Sequence, residues 1–246
     1  MKYTWKPDVP DHRDYKFSES IDKLPTKVDL RKNYSSVYNQ GHLGSCTANA
    51  ISMAFDFERI KQSEAPLKPS RLFIYYNERL LENTIKSDAG AMIRDGIKVL
   101  STSGTCTETI WPYIETKFTY KPTKKCYLEA SKNIIKQYIR LDNTKLNDLK
   151  SCLALGFGFV FGFSVYESFE SEDVAKTGIV QMPDFKNEKC LGGHAVYCLG
   201  YDNSKNAFIV RNSWGEEWGD GGHFYLPYQY ITNQHLADDF WTIRLV

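Results

Sequence analysis

A thiol is a useful nucleophile only as a thiolate, and the start of a helix beside an imidazolium is where a thiolate is stabilised, by the helix dipole and the positive charge together. Cys46 meets the first condition. It opens CTANAISMAFDFERIKQ, where Ala50, Met53, Ala54 and Phe57 recur at helical spacing and Ser45 is placed to cap the first turn. For the second condition the chain offers His12, His42, His194, His223 and His235. His194 stands out because Gly192-Gly193 opens its strand-like run and admits close approach by another segment. Metal ligation is the competing chemistry, since Cys190, His194 and Cys198 would share one face of a helix. The run HAVYCLGYD is β-prone, however, and four strand residues span roughly 13 Å, too far for ligands of one metal. No metal and no other cofactor is expected.

The elements that must hold these residues fall into two halves. Helices are expected from Cys46, from Ser70 to about Asn83 and from about Met92 to Thr102, where Gly104 ends the last. After residue 150 the chain turns β-rich, through GFVFGFSVY, HAVYCLGYD, NAFIVRNSWG, GHFYLPYQY and FWTIRLV. This segregation predicts an α+β fold, a helical lobe packed on an antiparallel sheet lobe with a groove between them. The uncharged run Cys152 to Val165 reads as a buried strand with its approach, too short and too glycine-rich to span a bilayer.

Length and charge exclude other classes. A chain of 246 residues with 42% hydrophobic and 25% charged residues is that of a globular protein, one large domain or two lobes. A net charge of +1 gives no field to draw it to nucleic acid or an anionic membrane, so neither is an expected partner. The basic cluster at 117–125 reads as a solvated loop. Residues 1–24 are polar and read as an extended arm, with no apolar run resembling a secretory signal.

Several separated segments together resemble papain-like cysteine peptidases. Asn39-Gln40-Gly41-His42-Leu43-Gly44-Ser45-Cys46-Thr47-Ala48 resembles the nucleophile segment of that family, with a Gln six positions before the Cys. Gly193-His194-Ala195-Val196 resembles the histidine segment, and Arg211-Asn212-Ser213-Trp214-Gly215 with Trp218-Gly219-Asp220-Gly221-Gly222 the asparagine segment. Cys46 and His194 lie 148 positions apart, inside the family's approximate window of 130 to 150. Leu24-Pro25 to Leu30-Arg31 is similar to the start of the mature domain, and Glu108 to Tyr113 to its mid-chain turn.

The resemblance implies a papain-like two-lobe fold over 24–246, a helical lobe at about 40–115 and a barrel-like antiparallel lobe at about 150–246, preceded by an extension or short prosegment at 1–23. It implies a cysteine endopeptidase acting on peptide or protein substrates, expected as a monomer. Cys46 would be nucleophile, His194 acid and base, Asn212 the orienter of His194, and Gln40 the oxyanion donor. Trp214 would shield the Asn212–His194 contact, Gly90, Met92 and Gly193 would line the substrate cleft, and Asp238 would floor the main specificity pocket and tolerate a basic side chain. Two alternatives keep the same fold: a thiol acyl transferase or amidase, and a silent peptide-binding relative.

The chain departs from the family pattern in three ways. Leu43 stands where the family usually has a cysteine, and five cysteines besides Cys46 cannot all pair internally, which favours a reducing compartment, cytoplasmic or reached without a signal. Thr47-Ala48-Asn49 replaces the common Trp-Ala-Phe. No long prodomain precedes residue 24; the arm is expected to be a clasp on the surface, with partial occupation of the cleft as the alternative, and without an occluding loop the cleft is expected to be open.

Overall fold

The computed structural model describes residues 2–33 and 37–245. Two short strands, β1 (Trp5–Lys6) and β2 (Lys27–Asp29), precede α1 (Cys46–Lys61). Every residue of α1 from Cys46 to Glu58 is buried, which makes it a central rather than a surface helix. Around it lie α2 (Arg71–Leu81), β3 (Ala91–Met92) and α3 (Ile93–Thr102). Ile51, Met53 and Phe57 of α1 share one core with Leu72, Ile74, Ile93 and Ile97, and with Val160, Ala195, Tyr197 and Trp241 from the sheet. Ser70 caps α2, its hydroxyl oxygen accepting the Phe73 N–H at 3.1 Å. Ser45 makes no such cap; its hydroxyl lies 2.6 Å from that of Tyr113 instead.

The second half supplies α4 (Lys124–Ala130), β4 (Gln137–Arg140), α5 (Leu146–Ala154), β5 (Phe159–Tyr166), α6 (Glu172–Thr177), β6 (Cys190–Asp202), β7 (Ala207–Arg211), β8 (His223–Pro227), α7 (Tyr228–Ile231) and β9 (Ala237–Arg244). The sheet is antiparallel in the order β4-β9-β5-β6-β7-β8, with β2 also on β6. Among the described residues this is an open path, not a barrel closed on itself. Half of the run Cys152 to Val165 is strand; its first three residues end α5. A second core of Phe159, Phe161, Phe163, Phe208, Phe224 and Phe240 packs on the sheet face away from α1. The basic 117–125 segment is loop over 118–123, between a single helical turn that ends at Lys117 and the start of α4.

The arm lies only partly on the outer surface: most of residues 9–24 are exposed, while residues 3–6, Asp8 and Phe17 are half-buried or buried. At its far end Phe17 is buried in the sheet-lobe core, and Tyr15 and Phe17 exchange backbone hydrogen bonds with Arg140 at 2.7 and 2.8 Å. Its first residues run into the groove between the lobes. There β1 pairs in parallel with β3, Trp5 opposite Ala91 and Lys6 opposite Met92, while Thr4 bridges to Gly193 on the opposite side. The physical reason is a slot with two glycine walls: side chains at Gly90 and Gly193 would overlap Thr4 and Trp5. Ion pairs from Lys2 to Asp88 (2.5 Å) and Lys6 to Glu82 (2.8 Å) reinforce it.

Candidate active site

Cys46 is the first residue of α1 and is fully buried. The turn before it is pinned at Gly44, whose N–H donates to the Asp88 carboxylate and whose carbonyl accepts the Thr4 hydroxyl at 2.7 Å. Burial pushes the thiol up to about 11; hydrogen bonds from the backbone N–H groups of Ala195 and Thr4 oppose it without prevailing. Two forces are therefore in competition at this sulfur: the helix start favours thiolate, and removal from water disfavours it more.

His194 sits in the middle of β6, opposite Phe163 of β5, and is also fully buried. Its Nε2 lies 2.8 Å from Asn212 Oδ1, and its Nδ1 has no hydrogen-bond partner. Burial lowers its pKa to about 4, with the Asn212 contact working the other way. The ring stacks on Trp214 at 5.3 Å and meets Phe163 and the arm's Tyr3 edge-on at 5.9 and 6.0 Å. With thiol and imidazole both neutral near pH 7, the covered site holds no charged nucleophile.

Asn212 directly follows β7, and its Oδ1 also accepts the Ser213 N–H at 2.8 Å. Ser213 ties this residue to Gln40: its hydroxyl donates to Gln40 Oε1 at 2.6 Å and its carbonyl accepts the Gln40 N–H at 2.9 Å. The Leu43 carbonyl, which can only accept, fixes which end of the Gln40 amide is nitrogen. Gln40 Nε2 donates one hydrogen to Leu43 O at 3.0 Å, leaving the other for a ligand. The fold thus brings the 40–46 loop, with Gln40 and Cys46, to the groove that His194 and Asn212 line from the sheet, with Trp214 stacked on His194 beside its Asn212 contact.

The groove residues are met by the arm. Gly90 (φ +67°) and Gly193 carry the backbone of residues 4–5, and the Met92 N–H donates to Glu82. Asp238 is not the pocket floor. Its side chain is half exposed and pairs with Arg140 at 3.0 Å. The carboxylate that meets the arm is Asp239, completely buried, which accepts the Trp5 indole N–H at 3.2 Å and the Asp8 N–H at 2.7 Å. Asp239 has φ +59°, which breaks the two-residue alternation of β9, so counting along the strand lands one residue short. The Trp5 ring lies against Gly162, where a side chain would overlap it.

Thr4, Trp5, Gly162, Ser213 and Asp239 are the participants that sequence reasoning missed. Gly162, set among bulky residues in FVFGFSV, was the one local signal, since glycine inside a strand marks close approach by another group.

Comparison with known proteins identifies the family. Residues 24–240 match the sequence pattern of the papain family cysteine proteases. Over 239 residues the chain is 48% identical to an uncharacterized peptidase C1-like protein of Acanthamoeba polyphaga mimivirus, covering 94% of this chain and 76% of that protein. It is 26% identical over 217 residues to pro-cathepsin H of Mus musculus, covering 82% of this chain and 60% of that precursor. The structure of Xylellain, a cysteine protease from Xylella fastidiosa, superposes with a TM-score of 0.93 at 45% identity, over 99% of this chain and 96% of that one. A pattern matched from residue 24 to residue 240, carried on the same fold, places the chain in the papain family of cysteine proteases.

Proposed function

We propose that this cysteine protease cleaves internal peptide bonds through Cys46, His194, Asn212 and Gln40, and that residues 2–8 hold it latent. The observation that carries the reading is the 2.8 Å contact of His194 Nε2 with Asn212, which leaves Nδ1 uncommitted on the ring that shares the buried groove with Cys46. Once the arm leaves, water enters, the thiol falls from about 11 and the imidazole rises from about 4, so that the proton moves from sulfur to ring. The thiolate attacks the carbonyl carbon, and the oxyanion takes the free Gln40 N–H and the Cys46 backbone N–H. His194 gives its proton to the leaving amine as the C–N bond breaks, then takes one from the water that releases the acid from sulfur.

Substrate backbone would replace the arm between Gly90–Met92 and Gly193, and a substrate side chain would take the Trp5 pocket down to Asp239.

Peptide-pool cleavage under reducing conditions, with product ends read by mass spectrometry, tests this on the full chain, its Trp5→Ala variant, and Trp5→Ala with Cys46→Ala. The expected order is slow, fast and none. Cleavage that survives loss of Cys46 overturns the nucleophile; an intact chain as active as Trp5→Ala overturns the latency.

A further inference from the structure

The two oxyanion donors proposed above, the Gln40 amide and the Cys46 N–H, lie on one loop, 39–46, that belongs to no regular element before Cys46. Something must aim them, because a donor misplaced by about 1 Å loses on the order of a hundredfold in rate. Behind this loop Arg71, the first residue of α2, lies almost wholly buried. Its Nη1 donates to Asn39 O and to Asn49 Oδ1, both at 3.0 Å, and its Nε to Glu108 at 2.6 Å. Its guanidinium plane also sits over two rings, Tyr38 at 4.4 Å and Tyr113 at 3.9 Å.

Each of these partners reaches one of the donors. Asn39 O belongs to the peptide unit that carries the Gln40 N–H. The Tyr113 hydroxyl donates to Gln40 O at 2.9 Å, so both peptide planes flanking Gln40 are held. Asn49 Nδ2 donates to Ser45 O at 2.9 Å and to Ser45 Oγ at 3.0 Å, and Ser45 O belongs to the peptide unit whose other end is the Cys46 N–H. Fixing the oxygen of a planar unit fixes the direction of its N–H.

We propose that Arg71 is a positioning residue for the oxyanion site, aiming the Gln40 amide and the Cys46 N–H through Asn39, Tyr113 and Asn49 without touching substrate itself. The inference rests on Gln40 and Cys46 acting as proposed. Lysine cannot reproduce it, because a single ammonium has no planar fork to meet Asn39, Asn49 and Glu108 while lying flat between two tyrosines. Removing the guanidinium does not strand Glu108, whose second oxygen keeps Lys68 at 3.7 Å.

The test uses the full chain carrying Trp5→Ala as parent, with Arg71→Met, Arg71→Lys and Tyr113→Phe added singly. Three readouts separate aim from folding: kcat against KM for a peptide, alkylation of Cys46 by iodoacetamide, which needs the thiolate but no oxyanion site, and affinity for a peptide aldehyde relative to its matched alcohol. Arg71→Met is expected to lower kcat about 100-fold with KM within about twofold, to leave alkylation unchanged, and to erase the aldehyde's advantage. Arg71→Lys is expected to restore little of this, and Tyr113→Phe to cost about tenfold in kcat, the worth of one hydrogen bond. An active parent with equally active Arg71→Met and Tyr113→Phe variants overturns the inference alone. So does a parallel fall of kcat and alkylation, the mark of general disruption. If Arg71→Met does not fold, Arg71→Lys and Tyr113→Phe decide by the same criteria. A parent without Cys46-dependent cleavage overturns the reading of the site itself, and this inference with it.

Discussion

The two walls of the groove are built from different chemistry. The wall around Gln40 and Cys46 is a lattice of hydrogen bonds: Ser213 and Leu43 on the Gln40 amide, Tyr113 on its carbonyl, Asn49 on Ser45, and Arg71 behind them. The wall around His194 is aromatic. Trp214, Phe163 and Tyr3 surround the ring, Trp214 in turn meets Phe169 at 5.5 Å and Trp218 at 4.9 Å, and among the described residues the imidazole makes one hydrogen bond, its Nε2–H donating to Asn212 Oδ1. The difference follows from the tasks. A donor must point at one spot, which directional bonds enforce. A base must be held dry and in one tautomer while its charge changes, which packed rings and one oriented amide accomplish.

The largest effect tests what both walls serve. In the Trp5→Ala chain, Cys46→Ala is expected to lower peptide hydrolysis by on the order of 10⁵-fold, since loss of a nucleophile leaves only binding and the oxyanion site. On the polar wall, Gln40→Ala is expected to lower kcat by about 10²–10³-fold with little change in KM, as loss of one oxyanion donor does. A change confined to KM would mean that Gln40 binds ground state and transition state alike, and the lattice around it would need another purpose.

A third test concerns the cover that both walls share. The Cys46 thiol, raised from its usual 9.0 to about 11 under the arm, contributes stability to the covered state that is fully present below pH 9 and lost as pH rises through about 11. His194, lowered from 6.5 to about 4 under the arm, is neutral in the covered state at pH 7; in the open state it holds the proton that left the sulfur, so the pair carries the same number of protons in both states there. Covering is therefore weakened by about 3 kcal/mol at the alkaline end through this sulfur. In the intact chain, alkylation at Cys46, located by peptide mass mapping, is expected to rise about tenfold per pH unit between 7 and 10. At pH 7 the Trp5→Ala chain is expected to react at least on the order of 100-fold faster, the ratio of thiolate at an ordinary and a raised pKa, which the proton transfer to His194 increases further. Equal rates in the two chains would show that the arm does not govern the thiol. On the aromatic wall, Trp214→Ala admits water to the Asn212–His194 contact and is expected to cost about tenfold in kcat, the worth of one weakened buried hydrogen bond. A loss as large as that of Gln40→Ala would erase the contrast between the walls.

The legible part of this molecule is what short-range chemistry writes into short stretches. Cys46 before an apolar-periodic helix, His194 after Gly192-Gly193, and Asn212-Ser213-Trp214 in a strand-to-turn run each carry a local signature, and the fold sets His194 Nε2 2.8 Å from Asn212 Oδ1. The arm's first residues were misplaced because their polar composition matches both a surface clasp and a strand seated in a groove; only their partners, Gly90, Gly162 and Gly193, distinguish the two, and they lie 85 or more positions away. Arg71 was equally hidden, since an arginine at a helix start reads as surface until Tyr38, Tyr113 and Glu108 close over it. The Asp238 assignment failed for a single torsion angle. No spacing rule anticipates a left-handed aspartate in the first turn of a strand.

That aspartate is also the polar exception at the end of the aromatic wall. Asp239 lies under the Trp5 ring, and Arg140 Nη2 approaches its other oxygen at 3.3 Å. Asp8 approaches it from the arm, so when the arm leaves, a buried carboxylate loses both the Asp8 N–H and the indole N–H and keeps one long contact to a guanidinium that Asp238 shares. An unpaired buried acceptor costs about 1–3 kcal/mol, a cost that a substrate side chain ending in N–H groups removes and an aliphatic one does not. Substrates placing tryptophan or arginine in this pocket are therefore expected to be cleaved faster than those placing leucine. In the Trp5→Ala chain, Asp239→Asn is expected to reduce the arginine-to-leucine ratio of kcat/KM about fivefold and to leave the tryptophan-to-leucine ratio within about twofold, because a neutral amide oxygen still accepts an indole N–H but no longer attracts a cation. Competition between the three peptides in one reaction measures both ratios at once. An arginine-to-leucine ratio untouched by Asp239→Asn would mean that the pocket selects by its glycine walls alone, and the aromatic wall would then have no polar exception.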